Sequence, residues 1–221
     1  MLNRPTAGMG RIYDATWGRA FAALYDRGLS GTEEAGLREM RRELLAQASG
    51  RAIEIGAGTG ANLGLYPEAV TELVLTEPDP HMARRLRRHL SESSHEARLV
   101  EAPAQALPFE DSSFDTAVFT LVLCTVPDQG AALVEAARIL RPGGRLLFLE
   151  HVRSGQPKLA HWQDRLEKPW RFMGDGCHCN RDTVAAIEAS PLILEAVERG
   201  RMPKAPPIVR PLARGSAINA R

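Results

Sequence analysis

Apolar and polar positions along this chain switch between a helical and a strand-like period, and the switches mark the predicted elements. Near 11–29, Tyr13, Trp17, Phe21 and Tyr25 recur every four residues, a spacing that lines one face of a helix. The stripe suits core packing first and a lid over a substrate pocket second. A second helix is predicted from about Thr32 to Ala48, with Thr32 as its N-cap. Residues 51–55 read as a buried strand running into a glycine turn and a helix, and 71–77 as the next strand. Asp79 starts a helix carrying Arg84, Arg85, Arg87 and Arg88, a solvated face before it is a patch for nucleic acid. Further strands fall near 97–102, 114–121 and 145–150, and a helix over 129–140 ends in Arg141-Pro142-Gly143-Gly144, a stop signal. From 152 to about 180 the pattern is polar and irregular. Segments 192–199 and 212–220 read as a closing hairpin. Alternating strands and helices in this order imply a parallel sheet covered on both faces.

Composition narrows the class. With 221 residues and 44% hydrophobic content, the chain suits one domain with a sizeable core. A net charge of +1 offers no field for nucleic acid or an anionic membrane. Cys124, Cys177 and Cys179 are too few for a disulfide scaffold and fit a reducing cytoplasm. No run reaches the ~18 apolar residues of a membrane span, and the N-terminus lacks the apolar core of a signal peptide.

The candidate chemistry begins at Ile53-Glu54-Ile55-Gly56-Ala57-Gly58-Thr59-Gly60-Ala61-Asn62. Glu77 closes a second strand roughly 20 residues after the glycines, the spacing at which an acid reaches a nucleoside ribose. A dinucleotide fingerprint is G-x-G-x-x-G, with a pyrophosphate at the helix N-terminus. Here the spacing is G-x-G-x-G, and Glu54 beside it would repel a pyrophosphate. It suits a ligand with an ammonium group and a ribose but no phosphate, such as S-adenosylmethionine.

These motifs, with Glu77-Pro78, Leu107-Pro108-Phe109, Ser113-Phe114-Asp115 and Leu140-Arg141-Pro142-Gly143-Gly144, closely resemble the class I S-adenosylmethionine-dependent methyltransferases. The resemblance covers roughly 33–152. It implies a Rossmann-like, doubly wound α/β fold of seven strands in the order 3-2-1-4-5-7-6, strand 7 antiparallel. It also implies a cofactor set of Glu54, Gly56, Ala57, Gly58, Gly60, Asn62, Glu77, Pro78, Met82, Ala104, Gln105, Thr120 and Leu121. The glycine turn would touch the methionine part, Glu77 the ribose, and the stretch before Leu107 the adenine. Pro103 departs from a common pattern with aspartate at that place, leaving the Ala104 N–H and the Gln105 amide to serve.

A finer resemblance concerns the acceptor. Tyr66-Pro67, Thr120-Leu121-Val122-Leu123-Cys124-Thr125-Val126, Phe148-Leu149-Glu150-His151-Val152 and Pro169-Trp170-Arg171-Phe172-Met173-Gly174-Asp175-Gly176-Cys177 look like the thiol S-methyltransferases. That group typically carries an N-terminal membrane anchor. None is legible here, so the expectation is a cytoplasmic protein without a stable anchor, acting on a small molecule. The uncharged run 120–124 argues against a magnesium-dependent catechol enzyme, which needs carboxylate ligands there, and against an adenine-N6 enzyme. A thiol near its ordinary pKa of ~8.5 gains from a base or positive neighbour. His151, at the carboxyl edge of the sheet, is the first candidate base. Asp175 is the second, as base or as orienter of His151 or His178, and Cys124 sits where the acceptor should approach. Cys177-His178-Cys179 has no second ligand pair, so no metal is assigned. The chain is expected to form a single domain over 1–221, with a helical cap at 1–48 and a substrate-loop insertion at 153–190. The leading function is S-methylation of a thiol. Alternatives are N- or C-methylation of a lipid amine, quinone or natural-product intermediate, and a non-catalytic or pericyclase-like binder of the same cofactor.

Overall fold

The computed structural model describes residues 19–93 and 96–220. Tyr13 and Trp17 of the aromatic stripe lie outside them, and so does the side chain of Phe21. Helix α1 (Arg19–Thr32) runs through a π-type turn, Glu33–Leu37, into α2 (Arg38–Leu45). The single helix expected from Thr32 to Ala48 is broken because Gly36 takes φ 130°, outside any helical region. Thr32 ends α1, and its side chain caps nothing.

The strands are β1 (Gly50–Ile55), β2 (Val70–Thr76), β3 (Arg98–Val100), β4 (Phe114–Thr120), β5 (Leu140–His151), β6 (Ile193–Arg201) and β7 (Pro211–Ile218). They form one sheet in the order β3-β2-β1-β4-β5-β7-β6. β7 runs antiparallel to β5 and β6, and the other pairings are parallel. That is the expected Rossmann-like order. The hairpin follows from turn-rich residues 202–210 between two strand-like runs. Its outer member, β6, is largely exposed and carries Glu195, Glu198, Arg199 and Arg201, charges that discourage further strand pairing.

Helices α3 (Pro80–Glu92), α4 (Gln129–Ile139), α5 (Pro157–Met173) and α6 (Thr183–Glu188) complete the layers. Asp79 caps α3 as predicted, its carboxylate accepting from the His81 and Met82 N–H groups at 2.8 Å. The helix expected after the glycine turn is absent. Residues 58–64 instead form successive tight turns, with N–H bonds from Gly60 to Ala57 and from Leu63 to Gly60. Positive φ at Gly60 and Gly64 prevents a continuous helical ladder. The segment expected to be irregular contains the 17-residue α5. Its buried stripe is thin, Ala160 and Gln163, and it holds Pro169, which in sequence signals a break. β5 begins at Leu140, so Arg141–Gly144 is a bulged part of the strand.

Both faces of the central strands are covered. Phe114, Phe119 and Phe148 are fully buried with α4 and α6 on one side. Val118, Leu147 and Leu149 pack with Leu44, Leu45 and Met202 on the other. Parallel strands buried on both faces read as near-continuous apolar runs, as 117–123 does. The chain leaves β1 to β2 on one side and returns through β4 on the other, so a crevice opens at the carboxyl ends of these strands.

Candidate active site

In that crevice lies a cleft of about 840 Å³, within the usual size of small-molecule sites. Its near end is built on the glycine turn. Gly56 holds φ 75°, and a Cβ on it would meet Val122 Cγ1 at 2.6 Å. Gly58 differs: a Cβ there would meet nothing within 4 Å and would occupy cleft space. The Glu77 carboxylate accepts from the Gly58 N–H and from the Asp79 N–H, each at 2.8 Å. Burial raises its pKa against those two bonds. Each oxygen keeps a further acceptor site beside the cleft. This fits a ligand presenting paired hydroxyls.

Beneath the turn, Glu54 is buried and fully partnered. One oxygen accepts from Asn62 Nδ2 at 2.9 Å and the other from the Tyr66 hydroxyl at 2.8 Å. Asn62 also donates to Thr120 Oγ1 and accepts from Arg41 Nη1, and Arg41 pairs with Glu33 at 3.1 Å. Burial pushes Glu54 up to about 7, with Tyr66, Arg41 and Asn62 opposing. Burial likewise lifts Tyr25, which lines the cleft from α1, to about 12.

The far end is sulfur-rich. Cys124 follows β4, His151 ends β5, and Cys177 lies in the loop after α5, all lining the cleft. The His151 Nε2 is 3.3 Å from the Cys177 sulfur, to which Trp170 Nε1 donates at 3.4 Å. His151 Nδ1 is buried without a hydrogen-bond partner among the described residues. Desolvation lowers His151 to about 4. Just behind, fully buried Glu150 accepts from the Val122 and Leu123 N–H groups at 2.8 and 3.0 Å, while its second oxygen has no partner. Burial raises it to about 7. Cys124 and Cys177 interact, Cys124 raised through that contact and Cys177 lowered by it. The loops here are tied by the buried Gln163 of α5. It donates to the carbonyls of Val152, Cys179 and Ile208 and accepts from the Ser154 N–H.

Of the residues singled out in the sequence, Glu54, Gly56, Ala57, Gly58, Glu77, Pro78, Met82, Ala104, Gln105, Thr120, Leu121, Cys124, His151 and Asp175 line this cleft. Gly60 and Asn62 stand behind its wall; Asn62 is fully buried. Asp175 lines the cleft in the loop after α5. His151 has its contact with Cys177, and His178 pairs with Glu167 at 2.9 Å. Asp175 also adds charge near Glu77. The arginines of α3 form ion pairs at the surface, Arg85 with Asp26 and Arg88 with Glu92. Sequence reasoning did not anticipate Arg41, Met202, Lys204 or Val209, which reach the cleft from distant segments. Tyr25 was signalled by the aromatic stripe.

Residues 53–148 match the family described as methyltransferase domain. The chain is 39% identical over 140 residues to thiol S-methyltransferase TMT1B of Rattus norvegicus, covering 62% of this chain and 57% of that protein. It is 33% identical over 170 residues to thiol S-methyltransferase TMT1A of Homo sapiens, covering 75% and 69%. Among solved structures, geranyl diphosphate C-methyltransferase from Streptomyces coelicolor A3(2) superposes with a TM-score of 0.63 at 14% identity, over 83% of this chain and 76% of that one. This likeness is one of fold. Among the described residues, no helix is long and apolar enough to cross a membrane. With the cleft at the switch point of a sheet in this order, the relatives settle the family: the chain belongs to the class I S-adenosylmethionine-dependent methyltransferases, close to the thiol S-methyltransferases, with S-adenosylmethionine as its cofactor.

Proposed function

We propose that this methyltransferase modifies the sulfur of an apolar small-molecule thiol. The observation that carries the reading is the make-up of the far end of the cleft, in a chain related to thiol S-methyltransferases. Leu121, Val122, Val126 and Trp170 face it beside the two thiols and a neutral imidazole. At the rim, Leu24 and Met173 are 60% and 54% exposed, an apolar entrance for an apolar acceptor.

When bound, S-adenosylmethionine supplies an electrophilic methyl group on a sulfonium. Glu77 would accept from the ribose hydroxyls, Glu54 would face the ammonium end, and Ala104 with Gln105 would border the adenine. Gly56 and Gly58 leave the room, and Thr120 and Leu121 form the floor beneath the transferred group. Methyl transfer is an in-line displacement, so the protein contributes mainly alignment and exclusion of water. His151 suits hydrogen-bond acceptance better than proton uptake. With its conjugate acid at about 4, taking a proton from a thiol near ~8.5 is uphill by roughly 6 kcal/mol. Helices α1 and α2 and the segment 153–190 would roof the cleft, completing a single domain over 1–221.

Incubation with methyl-labelled cofactor and panels of thiols, amines and phenols, followed by mass spectrometry, tests the reading. Label confined to thiols supports it. Label on amines or carbon would place the chain with lipid, quinone or natural-product enzymes. Cofactor binding with no labelled acceptor would point to a non-catalytic binder.

A further inference from the structure

The sequence places Cys124, His151 and Cys177 far apart, but the fold brings their two sulfurs and a ring nitrogen within 4.8 Å of one another. The contiguous Cys177-His178-Cys179 is split by the same fold. His178 turns to Glu167, and Cys179 donates to the Gln163 carbonyl at 3.5 Å inside a separate apolar cluster. Zinc bound through sulfur at ~2.3 Å and nitrogen at ~2.0 Å sets its ligand atoms roughly 3.5–3.8 Å apart, so the cluster needs only small side-chain shifts. Three protein ligands and one open position are the pattern of reactive rather than structural zinc sites.

His151 already turns Nε2 to this cluster, 3.3 Å from the Cys177 sulfur, and all three side chains line the cleft. We propose that Cys124, His151 and Cys177 form a site for a thiophilic divalent cation, zinc, whose fourth position takes the sulfur of the acceptor. The acceptor half of this statement rests on the thiol reading above; the cation site does not.

The charges close. Two thiolates, a neutral imidazole and a divalent cation sum to zero, and an added acceptor thiolate leaves one negative charge. The Arg181 guanidinium is nearby, donating to the Leu123 and Val126 carbonyls at 2.8 and 2.6 Å. On binding, the acceptor S–H bond breaks, its proton leaves to solvent, and a sulfur–metal bond forms. The held sulfur then bonds the methyl carbon as the donor's carbon–sulfur bond breaks, giving a thioether and a neutral sulfide. Coordination thus makes thiolate without a protein base.

The test is titration of chelator-stripped, reduced full-length protein with cobalt(II), then competition by zinc. The expected result is one cobalt per chain with an intense sulfur-to-cobalt charge-transfer band. Cys124→Ser and Cys177→Ser should each weaken binding about 100-fold or more, and Cys179→Ser should leave it unchanged. A butanethiol probe should shift the cobalt spectrum. In case a variant misfolds, zinc should also protect Cys124 and Cys177 of the wild-type chain from alkylation, mapped by mass spectrometry. No band, or a band that survives Cys177→Ser, overturns the site. Full thiol methylation by metal-free protein overturns the role of the cation and leaves the thiol reading standing. Stoichiometric zinc with label found only on amines does the reverse.

Discussion

Strands β1 and β5 each deliver a buried glutamate to the carboxyl edge of the same sheet, and burial lifts both to about 7. Their surroundings differ. Glu54 has both oxygens engaged by side chains and a buried arginine behind them. Glu150 has one oxygen held by two backbone N–H groups and the other without a partner among the described residues. At the first strand the polar network is closed, which fixes the wall for one ligand. At the second it is open, beside sulfur and imidazole. A half-satisfied polar network is costly in a purely structural core, and on the proposed function it stands at the acceptor end.

The sharpest way to break this contrast is at the closed end. Glu77→Ala removes acceptors for two hydroxyls, and charge-assisted bonds contribute about 1.5–3 kcal/mol each. Cofactor affinity should fall by about 100-fold, read by calorimetry; an unchanged affinity would mean the ribose is held elsewhere.

Next comes the pH dependence of Glu54, which faces Tyr66, Arg41 and Glu77. Its folded pKa is about 7 against an ordinary 4.5, so between these values the folded state holds a proton that the unfolded chain lacks. Stability from this group is therefore greatest at acid pH, falls as pH rises from 4.5 to 7, and is level above. The component is on the order of 3 kcal/mol. Urea unfolding of Glu54→Gln should lack it, and parallel pH profiles for the two proteins would refute the assignment.

Asn62→Ala comes third. It strips partners from Glu54, Thr120 and Arg41 together and should cost about 2 kcal/mol of unfolding free energy. A loss near zero would show that the closed network is not closed. Smallest is Glu92→Ala, which removes the exposed pair with Arg88. Its effect should stay below about 0.5 kcal/mol, and a larger one would undo the reading of the α3 arginines as a solvated face.

How legible each feature was depends on how local its cause is. The Asp79 cap and the terminal hairpin rest on signals within a few residues, the strand order rests on the family resemblance, and all three stand in the structure. Glycine was harder to read. Gly36 breaks a helix that periodicity favoured, and Gly60 with Gly64 turns an expected helix into tight turns. Helix α5 was hidden by Pro169 and by a buried stripe too thin to show a period. At the site, the glycine turn and Glu77 could be read as lining one cleft because they follow consecutive strands. The sulfur cluster could not. Cys124 and Cys177 meet only once β5 and α5 have folded back over the cleft, and nothing local to either announces the other.

Gln163 carries a consequence for anyone reshaping this enzyme. One amide ties the segments of Val152 and Ser154, Cys179 and Ile208 together, so the three segments around the sulfur-rich end of the cleft are not interchangeable parts. A loop borrowed from a relative would arrive without its counterpart on the shared clasp. Specificity here changes by exchanging the whole set, or by single substitutions that leave the clasp alone.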